Sequence, residues 1–162
     1  MSAEAFEHNA KDIARKLFEK LGTVDRMALV DDEAGLAFTA LPVAPLDLRR
    51  RGDAVIGMFK ASLRSPTARG VALVMEVWSA RCDASMPRSA IPEDLSTYAG
   101  RTEDLLVVTE HYELDGGATR LWRAPITRDA AGAPTLGTFV LDTGSEVRGQ
   151  CVKLLAPRGG DA

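Results

Sequence analysis

The chain is short of cysteine, of histidine and of net charge, and it has no apolar run long enough to cross a bilayer. Each shortage closes off a class of protein. Cys82 and Cys151 are its two cysteines, with no Cys-x-x-Cys spacing, so two ordinary thiols of a reducing compartment are expected rather than a disulfide framework. A net charge of −3, with arginines scattered apart from Arg49, Arg50 and Arg51, leaves no electrostatic footprint for a polyanion, and no nucleic-acid partner is expected. The N-terminus, Met-Ser-Ala-Glu-Ala-Phe-Glu-His, lacks the basic region and apolar core of a secretory signal. No later run reaches spanning length, so no membrane partner is expected and the protein is placed in the cytoplasm. No phosphate-binding glycine loop, nucleophile elbow or Ser/His/Asp order occurs, and no cofactor is implied.

What is present begins with Gly70 to Trp78, Gly-Val-Ala-Leu-Val-Met-Glu-Val-Trp, the least interrupted apolar run. From Val71 to Met75 it is apolar at every position, which predicts a central strand covered on both faces. A length of 162 residues suits one domain with a real core. Ahead of the strand, Phe6, Ala10, Ile13, Ala14, Leu17 and Leu21 recur at helical spacing, with Ser2 to cap the start and Gly22 to stop the end. Glu7 with Lys11 and Asp12 with Lys16 fall one turn apart, as exposed pairs, and His8 is read as a solvated helix residue. Met27 to Val30 and Leu36 to Leu41 form a hairpin around Asp31-Asp32-Glu33-Ala34-Gly35, which lacks the ligand spacing of a calcium loop and is read as a solvated turn. A second helix is expected from Asp47 to Pro66, with Leu48, Gly52, Val55, Ile56, Phe59 and Leu63 on its apolar face. Arg51-Gly52-Asp53 falls within it, out of reach of the extracellular recognition that this tripeptide can serve.

Behind the central strand, Ala80 to Glu103 is a long connector in a domain whose connections usually run to about four to six residues. Pro92-Glu93-Asp94 and Gly100 bracket a short helix in it. Asp104 to Leu114 reads as the next long strand, and Gly116-Gly117 as a two-residue primed turn. That turn would set Glu113 opposite Arg120, Tyr112 opposite Leu121, His111 opposite Trp122 and Glu110 opposite Arg123. Leu121 to Arg128, a turn at Asp129 to Gly132, a return strand from Leu136 to Leu141 and an edge strand from Val147 to Leu155 complete the list. Residues 157–162 are expected to be a disordered tail after a single domain over 1–156.

Glu76-Val77-Trp78, a Pro-containing loop, and Gly100-Arg101-Thr102-Glu103-Asp104-Leu105-Leu106-Val107-Val108 together resemble an uncharacterised bacterial protein family whose strands read Glu-Ala-Trp and Arg-Glu-Glu-Val-Leu-Val in the same order. The His-Pro-Asp that precedes the arginine there is missing here. The resemblance covers about a quarter of the chain and implies a strand–loop–strand order, with no activity to carry over.

Two further patterns bear on chemistry. Phe139 to Ser145 contains Asp142-Thr143-Gly144-Ser145 after an apolar strand, similar to the catalytic turn of aspartic proteases. The chain that follows is too short for the later segment that such a fold needs, so a strand and turn are expected instead. Glu76, Glu110, His111 and Glu113 lie toward strand ends and could form a small catalytic or metal-binding region, although one histidine is few for a metal site.

These readings combine into an α+β domain in which an antiparallel sheet of five to six strands is covered by two amphipathic helices. The function expected is a non-catalytic binding or assembly module, with a small enzyme or metal-binding protein built on Glu76, Glu110 and His111 as the alternative. No catalytic or metal residue is assigned. A small-molecule or protein ligand is expected under the long connector, at Glu76, Trp78, Tyr98 and Arg101. A homodimer that buries residual apolar sheet or edge surface is expected as well.

Overall fold

The computed structural model describes residues 1–40, 67–80, 85, 87–90 and 95–143. Within them the chain forms helix α1 (Ala3–Leu21) and strands β1 (Met27–Asp32), β2 (Gly35–Ala40), β3 (Gly70–Ala80), β4 (Arg101–His111), β5 (Arg120–Arg128), β6 (Pro134–Leu136) and β7 (Val140–Leu141). All seven strands belong to one antiparallel sheet, in the order β2-β1-β3-β4-β5-β6 with β7 also on β5. The α+β class and the antiparallel sheet are as the sequence predicts. Of the two helices expected, one is found, and the second, from Asp47 to Pro66, lies outside the described residues, as do the edge strand from Val147 to Leu155 and the tail.

Helix α1 starts and stops where its caps dictate. Ser2 Oγ accepts the Ala5 N–H at 3.2 Å, and Gly22, at φ 73°, donates its N–H to the Phe18 carbonyl at 2.7 Å. The buried stripe is Ala3, Phe6, Glu7, Ala10, Ala14 and Phe18. It is rotated from the one expected: Leu21 is 62% exposed, and Glu7, expected on the wet side with Lys11, faces the sheet. The Asp12–Lys16 pair does form, at 2.7 Å on the exposed side, where solvent screens it.

Strand β3 is central and covered on both faces, as its composition requires. Val71, Ala72, Leu73 and Val74 are all buried. Ala72 and Val74 meet Phe6, Ala10, Ala14, Phe18, Leu29, Leu105 and Val107 on the helix side. Val71 and Leu73 meet Ala28, Val30 and Val108 on the other.

Three local assignments change in the structure. In the β1–β2 hairpin the pairing runs on to Asp32 opposite Gly35, so the turn shrinks to Glu33 and Ala34. Asp31, expected in a solvated turn, is a strand residue only 1% exposed.

The β4–β5 register also differs. Arg120 lies opposite Thr109, Leu121 opposite Val108, Trp122 opposite Val107 and Arg123 opposite Leu106. The slip from the expected pairing is an even number of residues, so each side chain keeps its face and changes its partner. The expected register would have set Arg128 opposite Leu105, which is fully buried; the observed one sets Ala124 there. Burying an unpaired guanidinium costs far more than the two cross-strand pairs would have contributed. Gly116 and Gly117 do take positive φ, 64° and 86°, but inside a wider loop that holds a 3₁₀ turn at Asp115–Gly117.

The return strand, expected as one piece from Leu136 to Leu141, is split into β6 and β7. Pro125 explains the break. A residue's N–H and C=O point to the same edge of a strand, and the Pro125 carbonyl accepts the Gly137 N–H at 2.8 Å. Its missing N–H therefore lies on that same edge, between β6 and β7, where the ladder is interrupted.

Candidate functional site

The sheet outruns its helix. Along β3 burial is complete as far as Val74, and from Met75 to Ala80 the strand is only half-buried, with Trp78 41% exposed. Side chains alternate across the sheet, so Glu76 and Trp78 share the helix-side face with Ala72 and Val74. The observed register sets Trp78 opposite Glu103 and Glu103 opposite Ile126, a row across three adjacent strands. The result is a cleft of about 270 Å³ lined by Glu76, Val77, Trp78, Glu103, Ile126 and Arg128.

Its charges are held unequally. Arg128 Nε donates to Glu103 Oε2 at 2.8 Å, and Arg128 also reaches the Gly132 carbonyl, so those two side chains hold each other in place. Glu76 Oε1 accepts the Val24 N–H at 2.7 Å, just beyond the end of α1. Among the described residues no cation lies within ion-pair distance of Glu76. The Arg101 guanidinium stacks over the Trp78 ring at 4.6 Å from its centroid, and its Nη1 donates to the Tyr98 carbonyl at 3.0 Å. Arg101 Nε is buried without a hydrogen-bond partner.

Of the four expected ligand residues, Glu76 and Trp78 line the cleft, Arg101 caps the indole, and Tyr98 holds Arg101 through its backbone while its ring packs toward Gly100. The helix expected in the connector is, among the described residues, a single 3₁₀ turn at Leu95–Thr97 that lies near β3, with another at Arg88–Ala90. Glu103, Ile126 and Arg128 were not singled out from the sequence. Extending the β3–β4 pairing opposite Trp78 would have found Glu103; the other two needed the register of β5.

The alternative region does not assemble. Glu76 lies opposite Leu105 and Gly70 opposite His111, so Glu76 and His111 stand six residues apart along the sheet, about 20 Å at the usual rise. Glu110 and His111, as neighbours, point to opposite faces. Glu110 accepts the Thr119 hydroxyl at 2.6 Å. His111 Nδ1 accepts the Glu113 N–H at 3.2 Å, which leaves the proton on Nε2 to donate to Asp31 Oδ2 at 3.4 Å. Asp31 Oδ1 takes Arg69 Nη2 at 3.1 Å. Among the described residues no group of three His, Cys, Asp or Glu side chains is placed to hold a metal ion.

Two more clusters account for the remaining buried charge. Glu7 Oε1 accepts from the Thr109 hydroxyl at 2.6 Å and the Trp122 indole at 3.2 Å, and Oε2 from Arg120 at 3.0 Å. Lys11 lies 3.4 Å over the Trp122 ring; burial lowers its ammonium below the ordinary lysine range, with Glu7 opposing and Arg120 adding to the shift. On the opposite face Arg123 bridges Asp104 at 3.0 Å and Asp142 at 3.4 Å. Asp142 is thus an ion-pair partner at the end of β7, and Gly144 and Ser145 of the protease-like motif lie outside the described residues.

Comparison of the chain with protein-family models, with curated proteins and with solved structures finds no match in any of the three.

Proposed function

We propose that this protein is a non-catalytic binding module that takes a small molecule in the cleft at the end of β3, β4 and β5. The observation that carries the reading is a half-exposed indole beside a carboxylate with no cationic partner among the described residues, Trp78 beside Glu76, in a concavity of about 270 Å³. An apolar platform with a few fixed polar groups is the usual make-up of a ligand site, and this volume suits a small metabolite better than a drug-sized molecule. Binding is favoured over catalysis because the other charged side chains that line the cleft, Glu103 and Arg128, hold each other in one pair and because His111 lies at the far end of the sheet, buried against Asp31. Ligand-observed NMR with a chemically mixed fragment library tests the reading. Wild-type protein should return hits that Trp78→Ala, still folded by circular dichroism, loses. Hits that survive Trp78→Ala unchanged would move the site elsewhere.

The expected homodimer belongs to the same proposal, with a specific edge to carry it. Strand β2, Gly-Leu-Ala-Phe-Thr-Ala, is at the end of the strand order among the described residues and bears no charge or proline, the usual guards of an edge strand. Leu36 and Phe38 are 40% and 57% exposed on its helix-side face. Pairing of two β2 strands about a two-fold axis would cover both copies. Light scattering should give a dimer for the wild type and a monomer for Phe38→Lys. A wild type that is monomeric at tens of micromolar, an order-of-magnitude concentration for a specific dimer, removes this part of the reading. No helix among the described residues is long and apolar enough to cross a membrane, which is compatible with the cytoplasmic location included in this proposal.

A further inference from the structure

Among the described residues, two charges of opposite sign without a charged partner flank the Trp78 indole, Glu76 in the cleft lining and Arg101 over the ring, and they do not meet. Glu76 presents a carboxylate whose one hydrogen bond is to a backbone N–H. Arg101 presents a guanidinium whose one hydrogen bond is to a backbone carbonyl and whose Nε is buried without a partner. Neither is neutralised by a side chain among the described residues. The sheet register keeps them apart: Arg101 lies opposite Ala80, four residues along β3 from Glu76, and Trp78 stands between them on the same face. Four residues of strand are about 13 Å between Cα atoms, and the two side chains form no ion pair across that distance. The indole fills that gap with an apolar surface, and Arg101 already lies on it at 4.6 Å.

The geometry points to a ligand that completes both charges at once: a small zwitterion whose ammonium and carboxylate are separated by an apolar chain, as in an ω-amino acid. The ammonium meets Glu76, the carboxylate meets Arg101, and the methylene chain lies along Trp78. An isolated cation would leave Arg101 uncompensated beside it, and an isolated anion would leave Glu76 so. An α-amino acid carries both charges on adjacent carbons and cannot reach both partners. The cleft volume of about 270 Å³ is in keeping with a free metabolite. This inference rests on the cleft being a ligand site.

The test uses the full chain and four probes in calorimetry: 6-aminohexanoate, its isomer 2-aminohexanoate, hexylamine and hexanoate. The first should bind, and the other three at least about tenfold more weakly, the worth of one charge-assisted hydrogen bond. Glu76→Gln, which keeps an acceptor for the Val24 N–H, should lower the affinity for 6-aminohexanoate to that for hexanoate, and Arg101→Met to that for hexylamine. Each variant is compared with the wild type by thermal melting, and Arg101→Lys should restore part of what Arg101→Met loses. Equal binding of hexylamine or of hexanoate to the wild type, or an Arg101→Met variant that binds 6-aminohexanoate unchanged, would overturn the inference. If none of the four binds while a neutral fragment shifts the Trp78 indole resonance, the zwitterion is wrong and the cleft still binds ligands. If no fragment of any chemistry shifts it, both readings fall together.

Discussion

Glu7→Ala should cost about 3–5 kcal/mol of folding stability, the range for removing one partner of a buried ion pair. The effect is large because three donors lose their acceptor together. Thr109 Oγ1, Trp122 Nε1 and Arg120 Nη1 converge on the two oxygens of Glu7 from β4 and β5, and the carboxylate itself is 5% exposed. Water does not replace it freely at the centre of a helix–sheet contact, so Arg120 loses its charge partner at that position while Thr109 and Trp122 keep only desolvated donors. Glu7→Gln separates the two contributions. Its amide oxygen can still accept from Thr109 and Trp122, but the charge opposite Arg120 is gone, and a loss of about 1–3 kcal/mol is expected, as for a hydrogen bond to a charged group. Urea unfolding of the three proteins gives the comparison. A Glu7→Ala variant within about 0.5 kcal/mol of wild type, the scale of an ordinary surface substitution, would place Glu7 on the exposed face that its spacing with Lys11 first suggests.

Gly70→Ala is the second expected loss, and there the sign is informative. In a strand, alanine is favoured over glycine by roughly 0.5–1 kcal/mol of backbone entropy. A methyl group at Gly70 would meet His111 Cδ2 at 2.4 Å and the Phe6 ring at 3.2 Å. The histidine has little freedom to move, since its Nδ1 is held by the Glu113 N–H, its Nε2 by Asp31, and the Phe6 ring packs at 5.8 Å. Overpacking of this kind costs about 1–3 kcal/mol, occasionally more. It outweighs the entropic gain over most of that range, and a net destabilisation of about 1–2 kcal/mol is expected. Combining Gly70→Ala with His111→Ala should give less than the sum of the two single losses, because the smaller side chain removes the clash. A Gly70→Ala protein more stable than wild type would mean that His111 is free to leave its place against Gly70.

Both residues show where reading the chain by itself stops. Glu7 was legible in part. The buried positions Ala3, Glu7, Ala10, Ala14 and Phe18 have the spacing of a helix face, but a glutamate on that face is buried only if donors await it. All three of its donors, Thr109, Arg120 and Trp122, lie more than a hundred residues away. Gly70 could be placed at the start of a strand, but that it makes room for a histidine depended on the pairing of β3 with β4.

The sequence by itself determined the parts whose cause is local. Ser2 and Gly22 bound α1 through hydrogen bonds within one turn. The unbroken run from Val71 to Val74 admits only a strand covered on both faces. The turn at Asp129, whose carboxylate takes the Ala131 and Ala133 N–H groups, is complete in five residues. Tertiary structure decided whatever depends on which strand lies beside which. The β4–β5 register moved by four residues because the cost of setting Arg128 against buried Leu105 exceeds the gain from two cross-strand ion pairs. That register then brought Glu103, Ile126 and Arg128 beside Trp78 to form the cleft. Side-chain alternation is a property of one strand, whereas a site across three strands is a property of their alignment, and alignment is set by burial summed over the whole sheet.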